Sequence, residues 1–171
     1  GFLASEVAAV RFDGLELPDA RRFGGAVGAE DTLAAAASIA RLGVAAQAVG
    51  IGQAALEHAR DYALERAQFG RPLGEFGAIR DKIGRMVARV ASARALVVSV
   101  ARQEEDSDGG IGGLSFATGT AVAKAVASEA AVFIADEAVQ IFGGYGYMRH
   151  YPVEKLLRDA QGTEIFEGTT E

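Results

Sequence analysis

The sequence has 171 residues, a formal net charge of −6 at pH 7 and no cysteine. A chain of this length can bury one substantial core, and the lack of cysteine excludes disulfides, thiolate nucleophiles and cysteine-ligated metals. The acidic charge, without any basic run interleaved with aromatic residues, argues against a nucleic-acid partner.

Targeting and metal signals are weak in this sequence. No basic segment precedes the apolar start of the chain, so we expect no targeting segment, and polar side chains interrupt the long apolar stretches, so we expect no membrane span. His58 and His150 lie far apart without ligand-like spacing to carboxylates. We therefore predict no metal site.

The N-terminal region carries a β pattern. Residues 6–18 alternate β-branched and polar side chains, and Asp13-Gly14 suits a tight turn, so the pattern predicts one or two short strands. A glycine-containing link follows over residues 21–28.

Two long helices are predicted next. The first runs from residue 31 to about 68 with apolar stripes on two faces, which is typical of a helix inside a bundle. Gly70, Pro72 and Gly74 break it. A second helix with a basic outer face is predicted from about residue 76 to 105.

The C-terminal part is also helical. After a glycine-rich loop at residues 105–113, a third helix is predicted over 114–142; it is apolar on nearly every side, so we expect it to be the most buried helix or shared with another subunit. An aromatic-rich turn at 143–150 leads to a short helix that begins at Pro152 and is expected to end near Gly162. The pattern predicts an all-α, antiparallel four-helix bundle with a short N-terminal β remnant.

Glu167 is the main candidate for a catalytic residue. It follows Ile165 and Phe166 and precedes Gly168. An apolar setting would suit a general base, and the glycine would leave room for a ligand. On these residues alone, a surface glutamate near a helix end remains the alternative.

The C-terminal sequence resembles a known family. The segments QIFGGYGYMRHYPVEKLLRD and IFEGT resemble the C-terminal signature of the acyl-CoA dehydrogenase family. The resemblance implies that residues 1–28 are the end of a middle β-domain with its linker, and that residues 29–171 are the C-terminal helical domain without its final helix. It also implies FAD as cofactor and Glu167 as the catalytic base.

Further site residues follow from the resemblance. It assigns Arg41, Phe166 and Gly168 to the acyl-CoA substrate. Some family members place the base before the matching arginine, but Ala40 stands there, which leaves Glu167 as the candidate base. The residues assigned to the cofactor, in part that of a neighbouring subunit, are Arg66, Phe69, Gln140, Gly143, Gly144, Thr169 and Glu171. Gln161 and Gly162 depart from the family pattern, which loosens the expected approach to the catalytic loop.

The implied function is α,β-dehydrogenation of an acyl-CoA thioester to a trans-2-enoyl-CoA in fatty acid metabolism. The resemblance also implies an electron-transfer flavoprotein as electron acceptor, a homo-oligomer (dimer or tetramer), and a cytoplasmic or mitochondrial matrix location. An isolated piece of this length is expected to be inactive. Two alternatives stay open: a non-catalytic helical module for oligomerisation or partner binding, and an acyl-CoA oxidase-type relative.

Overall fold

Four packed helices and one small hairpin make up the structure. The computed structural model describes residues 2, 5–22, 28–103 and 113–170. Its helices and strands are α1 (Ala29–Glu65), β1 (Ala67–Gln68), β2 (Arg71–Pro72), α2 (Gly77–Ala101), α3 (Phe116–Phe142) and α4 (Val153–Ile165). Short 3-10 helices lie at Asp19–Arg21, Leu73–Glu75 and Gly143–Tyr147. The predicted helical bundle is therefore confirmed.

The β remnant expected near the N-terminus is not formed. Residues 5–22 contain no strand and are exposed, and the backbone bends at Asp13-Gly14, where Gly14 has a φ of 61°. A strand needs a hydrogen-bonded neighbour, and no other described segment pairs with this one. The segment contains strand-forming residues, but it has no partner strand among the described residues. The predicted loop at 105–113 lies mostly outside the described residues.

α3 is the central helix of the bundle. It packs against α1, α2 and α4, and 14 of its 27 residues are buried, more than in any other helix. The sequence places its ends: Ser115 caps the first turn by accepting from the Thr118 amide, and Gly143 follows the last turn with a φ of 60°. The expectation that this helix is the most buried is confirmed.

A buried ion cluster joins α2 to α3. The Glu137 side chain on α3 is buried and accepts from Lys82 and, at 3.3 Å, from Arg85, both on α2. A buried carboxylate needs such partners, because an unpaired charge in the core costs several kcal/mol. Part of the basic face of α2 thus fixes the register of two helices.

α4 is longer than its sequence suggested. The helix continues through Gly162 and ends at Ile165. A side chain at residue 162 would meet the Phe2 ring, since a Cβ there would stand 2.8 Å from that ring. Gly162 is therefore a contact point for the N-terminal aromatic residue, and it does not end the helix.

α1 is long and apolar enough, by length and composition, to cross a membrane, although the sequence suggested no such span. The core helix of a soluble protein passes the same test, so the observation is weak. Ten residues of α1 are buried against the other helices, among them Ala45, Ala48, Ala55 and Ala59. Its small residues let α3 approach closely.

Candidate active site

The loop after α4 has an unusual backbone. Phe166 is extended, Glu167 adopts a φ of 57° and Gly168 a φ of 96°. The left-handed conformation costs a residue with a side chain about 1–2 kcal/mol. Such strain persists only where the surroundings enforce it, and it concentrates at functional sites. Glu167 is thus held in a defined place just beyond a helix end.

The side chains of this loop point to different environments. Glu167 is exposed, so the apolar enclosure expected from its neighbours is not built by the described residues. The Phe166 ring is half-buried and packs edge-on against Phe2, with ring centroids 5.5 Å apart. Phe166 therefore anchors the loop to the N-terminal aromatic residue and leaves the carboxylate free.

Arg41 of α1 lies beside the same loop. Its Nε atom is 3.9 Å from the point where a Cβ on Gly168 would stand. The structure thus brings Arg41 next to the Glu167-Gly168 pair, although more than 120 residues separate it from that pair in the sequence. The glycine keeps the space in front of the guanidinium open. A ligand that carries an oxygen or an acidic C–H could enter there.

Lys124 also reaches this loop, and the sequence reasoning missed it. Its ammonium is buried between α3 and α4 and donates to the carbonyls of Glu164 and Gly168. A lysine in the middle of an otherwise apolar helix face was the available signal, because a buried lysine needs dedicated partners.

A second site lies near the C-terminal ends of α1 and α3. A cavity of about 510 Å³ opens there. Arg66 lies over the Tyr145 ring, 5.6 Å from its centroid. The lining residues are Tyr62, Arg66, Gln68, Leu73, Ile141, Phe142, Gly143, Gly144, Tyr145 and Met148. Three of the residues assigned to the cofactor, Arg66, Gly143 and Gly144, are thereby brought together.

Phe69 sits at the tip of the β1–β2 hairpin. Gln68 pairs with Arg71, and the two loop residues Phe69 and Gly70 have φ values of 54° and 80°. Positive φ at both positions is typical of a type I′ turn, which usually carries Asn-Gly. Phe69 is 93% exposed and does not line the cavity. A bulky aromatic residue therefore projects from a strained turn.

The other predicted contacts are less well defined. Gln140 and Thr169 are exposed and lie outside the cavity lining, and Glu171 lies outside the described residues. Tyr62 and Tyr145 line the cavity but were not singled out from the sequence. Within the described ranges, histidines and carboxylates form no group of three that could hold a metal ion.

The two sites lie at different ends of the bundle. Lys124, next to the Glu167 loop, and Phe142, in the cavity wall, are both on α3 and are eighteen residues apart. At 1.5 Å per residue this corresponds to about 27 Å. The cavity and the Glu167 loop of one chain are therefore separate sites.

Comparison with known proteins gives the family. The family model of the acyl-CoA dehydrogenase C-terminal domain matches residues 28–171. An acyl-CoA dehydrogenase from Bacillus subtilis is 45% identical over all 171 residues, which cover 44% of that protein. The chain spans less than half of the length of the curated relatives it matches, 44% and 33% in two of them.

Solved structures agree. Butyryl-CoA dehydrogenase from Megasphaera elsdenii matches with a TM-score of 0.73 and 44% identity, over 80% of this chain and 34% of that one. A structure of the electron transferring flavoprotein of Acidaminococcus fermentans matches with a TM-score of 0.72 and 40% identity, over 78% of this chain and 34% of that one. The chain therefore belongs to the acyl-CoA dehydrogenase family, of which it represents the C-terminal domain.

Proposed function

We propose that this chain is the base-bearing domain of an FAD-dependent acyl-CoA dehydrogenase. The observation that carries the proposal is the backbone of Glu167, held at a φ of 57° with Arg41 beside its neighbour Gly168. An exposed carboxylate fixed in a strained loop, with a cation beside the adjoining residue, has the placement that a general base needs.

Glu167 would act on the α-carbon of the thioester. The thioester carbonyl acidifies the α-C–H bond, so an exposed carboxylate can take the α-proton. Gly168 leaves space for the acyl chain to approach, and Arg41 places a positive charge near the developing negative charge. In the resembled family the base stands at the position of either Glu167 or Ala40, and alanine cannot accept a proton, so the resemblance assigns the proton to Glu167.

The cavity residues fit part of a dinucleotide cofactor. Arg66 supplies a planar guanidinium for phosphate oxygens, and Cβ atoms on Gly143 and Gly144 would meet nothing within 4 Å, so a ligand has room there. The ring of Tyr145 offers an apolar face. These residues would hold the cofactor, which when bound supplies the acceptor for the β-hydride.

The separation of the two sites supports a shared active site. Because Lys124, which contacts the Glu167 loop, and Phe142 in the cavity wall lie about 27 Å apart along α3, the cavity of one chain would serve the cofactor next to another chain's base. The exposed Phe69 at the hairpin tip projects outward, as a residue that reaches a neighbouring subunit would. We propose a homo-oligomer on this basis.

Substitution of Glu167 tests the proposal in the full-length polypeptide. We expect Glu167→Gln to keep the fold, because the side chain is exposed, while flavin reduction by butyryl-CoA falls by at least a thousandfold. This corresponds to about 4 kcal/mol of transition-state stabilisation. A variant that keeps a tenth of wild-type turnover would remove Glu167 from the role of base.

The electron acceptor separates dehydrogenase from oxidase. Reoxidation by an electron-transfer flavoprotein without hydrogen peroxide would support the dehydrogenase, and rapid peroxide formation in air would support the oxidase-type alternative. A purified full-length protein without flavin absorbance would support the non-catalytic module.

A further inference from the structure

The ammonium of Lys124 is buried at the junction of α3 and α4. Lys124 is 3% exposed and stands one third of the way along α3, between Ala123 and Ala127, which are buried as well. A lysine in such a place is rare and needs hydrogen-bond partners that offset its lost hydration. The hydrogen-bond partners of Lys124 indicate the role of this buried side chain.

Lys124 binds backbone oxygens on both sides of Glu167. Its Nζ donates to the Glu164 carbonyl at 3.1 Å and to the Gly168 carbonyl at 2.5 Å. Glu164 belongs to the last turn of α4, where carbonyls lack helical partners and a positive charge is favourable. One side chain thus fixes the helix end and the loop beyond it, and Glu167 lies between the two fixed points.

Few other contacts hold this loop. The Thr170 amide donates to the Glu164 carbonyl at 3.2 Å, and Phe166 closes a last helical bond to Gly162. Among the described residues, Lys124 is the one that donates to the Gly168 carbonyl. Together with the packing of Phe166 on Phe2, this contact therefore restrains the left-handed backbone of Glu167.

The charges around Lys124 are compatible with a structural role, in which its side chain holds two backbone carbonyls. Burial lowers the pKa of the Lys124 ammonium, Glu164 raises it and Arg41 lowers it further. A neutral amine still offers two N–H donors for the two carbonyls, so these hydrogen bonds form in either protonation state. Because Nζ is buried and occupied by the backbone, it does not reach a substrate.

Taken with the proposed function, on which this inference rests, the geometry points to Lys124 as the positioning residue for the catalytic base. We propose that its two hydrogen bonds to the carbonyls of Glu164 and Gly168 hold Glu167 in register with the α-carbon of the bound thioester. A misplacement of about 1 Å at a reacting group is enough to lower a rate a hundredfold.

The test uses full-length holoenzyme with Lys124→Met, which keeps most of the volume and removes both donors. With butyryl-CoA as substrate, we expect the rate of flavin reduction at saturation to fall ten- to a hundredfold, while KM changes by less than threefold. We also expect the α-deuterium isotope effect to rise, since proton removal becomes slower. In the free protein, amides of residues 165–170 should exchange hydrogen at least tenfold faster.

Two controls separate positioning from general stability. Ser128→Ala removes a buried polar group one turn away on α3 that bonds only to its own helix. Lys82→Met removes a lysine that is only partly buried and that pairs with Glu137. Both should leave the isotope effect and the exchange of residues 165–170 unchanged.

The outcomes decide between the inferences. A folded Lys124→Met enzyme with wild-type flavin reduction and loop exchange overturns the role of Lys124. Lys124→Gln, which keeps an amide donor, is the second variant if Lys124→Met does not fold, and loss of folding in both would assign Lys124 to stability alone and also overturn the inference. An active Glu167→Gln enzyme would instead contradict the proposed function.

Discussion

The guanidinium of Arg66 lies over the ring of Tyr145, with its carbon 5.6 Å from the ring centroid. The two residues come from the end of α1 and from the 3-10 helix after α3, so the contact joins two parts of the cavity wall. A guanidinium that stacks on an aromatic ring keeps its N–H donors free at the edge. Arg66 is thereby oriented in advance for an anionic ligand.

Replacement of Arg66 by alanine should weaken flavin binding in the full-length protein. A charge-assisted phosphate contact contributes about 1.5–3 kcal/mol, so we expect the dissociation constant of FAD to rise roughly 10- to 150-fold. The stability of the flavin-free protein should change by less than about 1 kcal/mol, because the residue is exposed. Flavin fluorescence during titration measures the first and urea unfolding the second.

Arg71→Ala is the matched control for this prediction. Arg71 is also exposed and also stacks on an aromatic ring, that of Phe76 at 4.1 Å, but it does not line the cavity. Its flavin affinity should stay within twofold of wild type. Equal losses in the two variants would mean that the cavity is not the phosphate site.

Replacement of Phe69 by asparagine should not destabilise the protein. The change creates Asn-Gly, the sequence preferred by a type I′ turn, at a position with a φ of 54°. Phe69 is 93% exposed, so little packing is lost, and we expect the free energy of unfolding to rise by up to about 1 kcal/mol. Gly70→Ala at a φ of 80° should cost about 1 kcal/mol instead.

Retention of flavin by the Phe69→Asn protein is the second measurement. If the phenylalanine is kept at a strained position for function, the stabilised variant should lose cofactor or subunit contacts. A loss of stability above 1 kcal/mol, with unchanged flavin content, would show that the ring serves only the fold.

The sequence was sufficient for the helices because their signals are local. Pro152 and the glycines at 143 and 70 mark the ends of elements, and apolar periodicity marks the buried faces. The N-terminal strands failed for the opposite reason: β-propensity acts only when a partner strand is present, and none lies among the described residues. The prediction that α4 ends near Gly162 was wrong for a similar reason, because this glycine makes room for the ring of Phe2, which is distant in the sequence.

The site was predicted unevenly. Motif resemblance indicated Glu167, Arg41 and Arg66, because each belongs to a short recognisable pattern. Lys124 was missed because its role depends on hydrogen bonds to two backbone carbonyls that lie 40 and 44 residues away in the sequence. Side chains that act on a distant backbone leave little trace in a single sequence.

Lys82→Met should destabilise the protein without changing the Glu167 loop. Glu137 is 8% exposed, and loss of its lysine partner leaves it with Arg85 at 3.3 Å. We expect a cost of about 1–3 kcal/mol in urea unfolding. Asp81→Asn, which removes an exposed ion pair with the same Arg85, should cost less than about 0.5 kcal/mol. Equal costs would show that the buried pair contributes no more to stability than the exposed one.

Stability should depend on pH through Lys124. Burial lowers the pKa of Lys124 from 10.5, and the charged groups that face it are Arg41, which lowers the pKa, and Glu164, which raises it. Between the lowered value and 10.5, the unfolded chain binds more protons at this residue than the folded one, so stability rises with pH.

Urea unfolding between pH 7 and 10 measures this effect. The free energy of unfolding should rise more, or fall less, in wild type than in Lys124→Met as the pH is raised, because only wild type releases this proton on folding. Parallel curves for the two proteins would mean that Lys124 has the same pKa folded and unfolded.

The full-length protein should self-associate, but through other apolar surfaces than those that the sequence suggested. The sequence suggested surplus apolar surface on α3, but α1, α2 and α4 already cover most of that helix. The uncovered apolar side chains lie mainly elsewhere: Leu33 and Ile39 on α1, Val87 and Val98 on α2, and Phe69 on the hairpin. Apolar surface of this extent favours a partner, and closed symmetric association of identical chains is the commonest result. Sedimentation velocity at micromolar concentration should give a mass of at least two chains, and Val98→Glu should lower it. A monomer with bound flavin would contradict both the shared active site and the association.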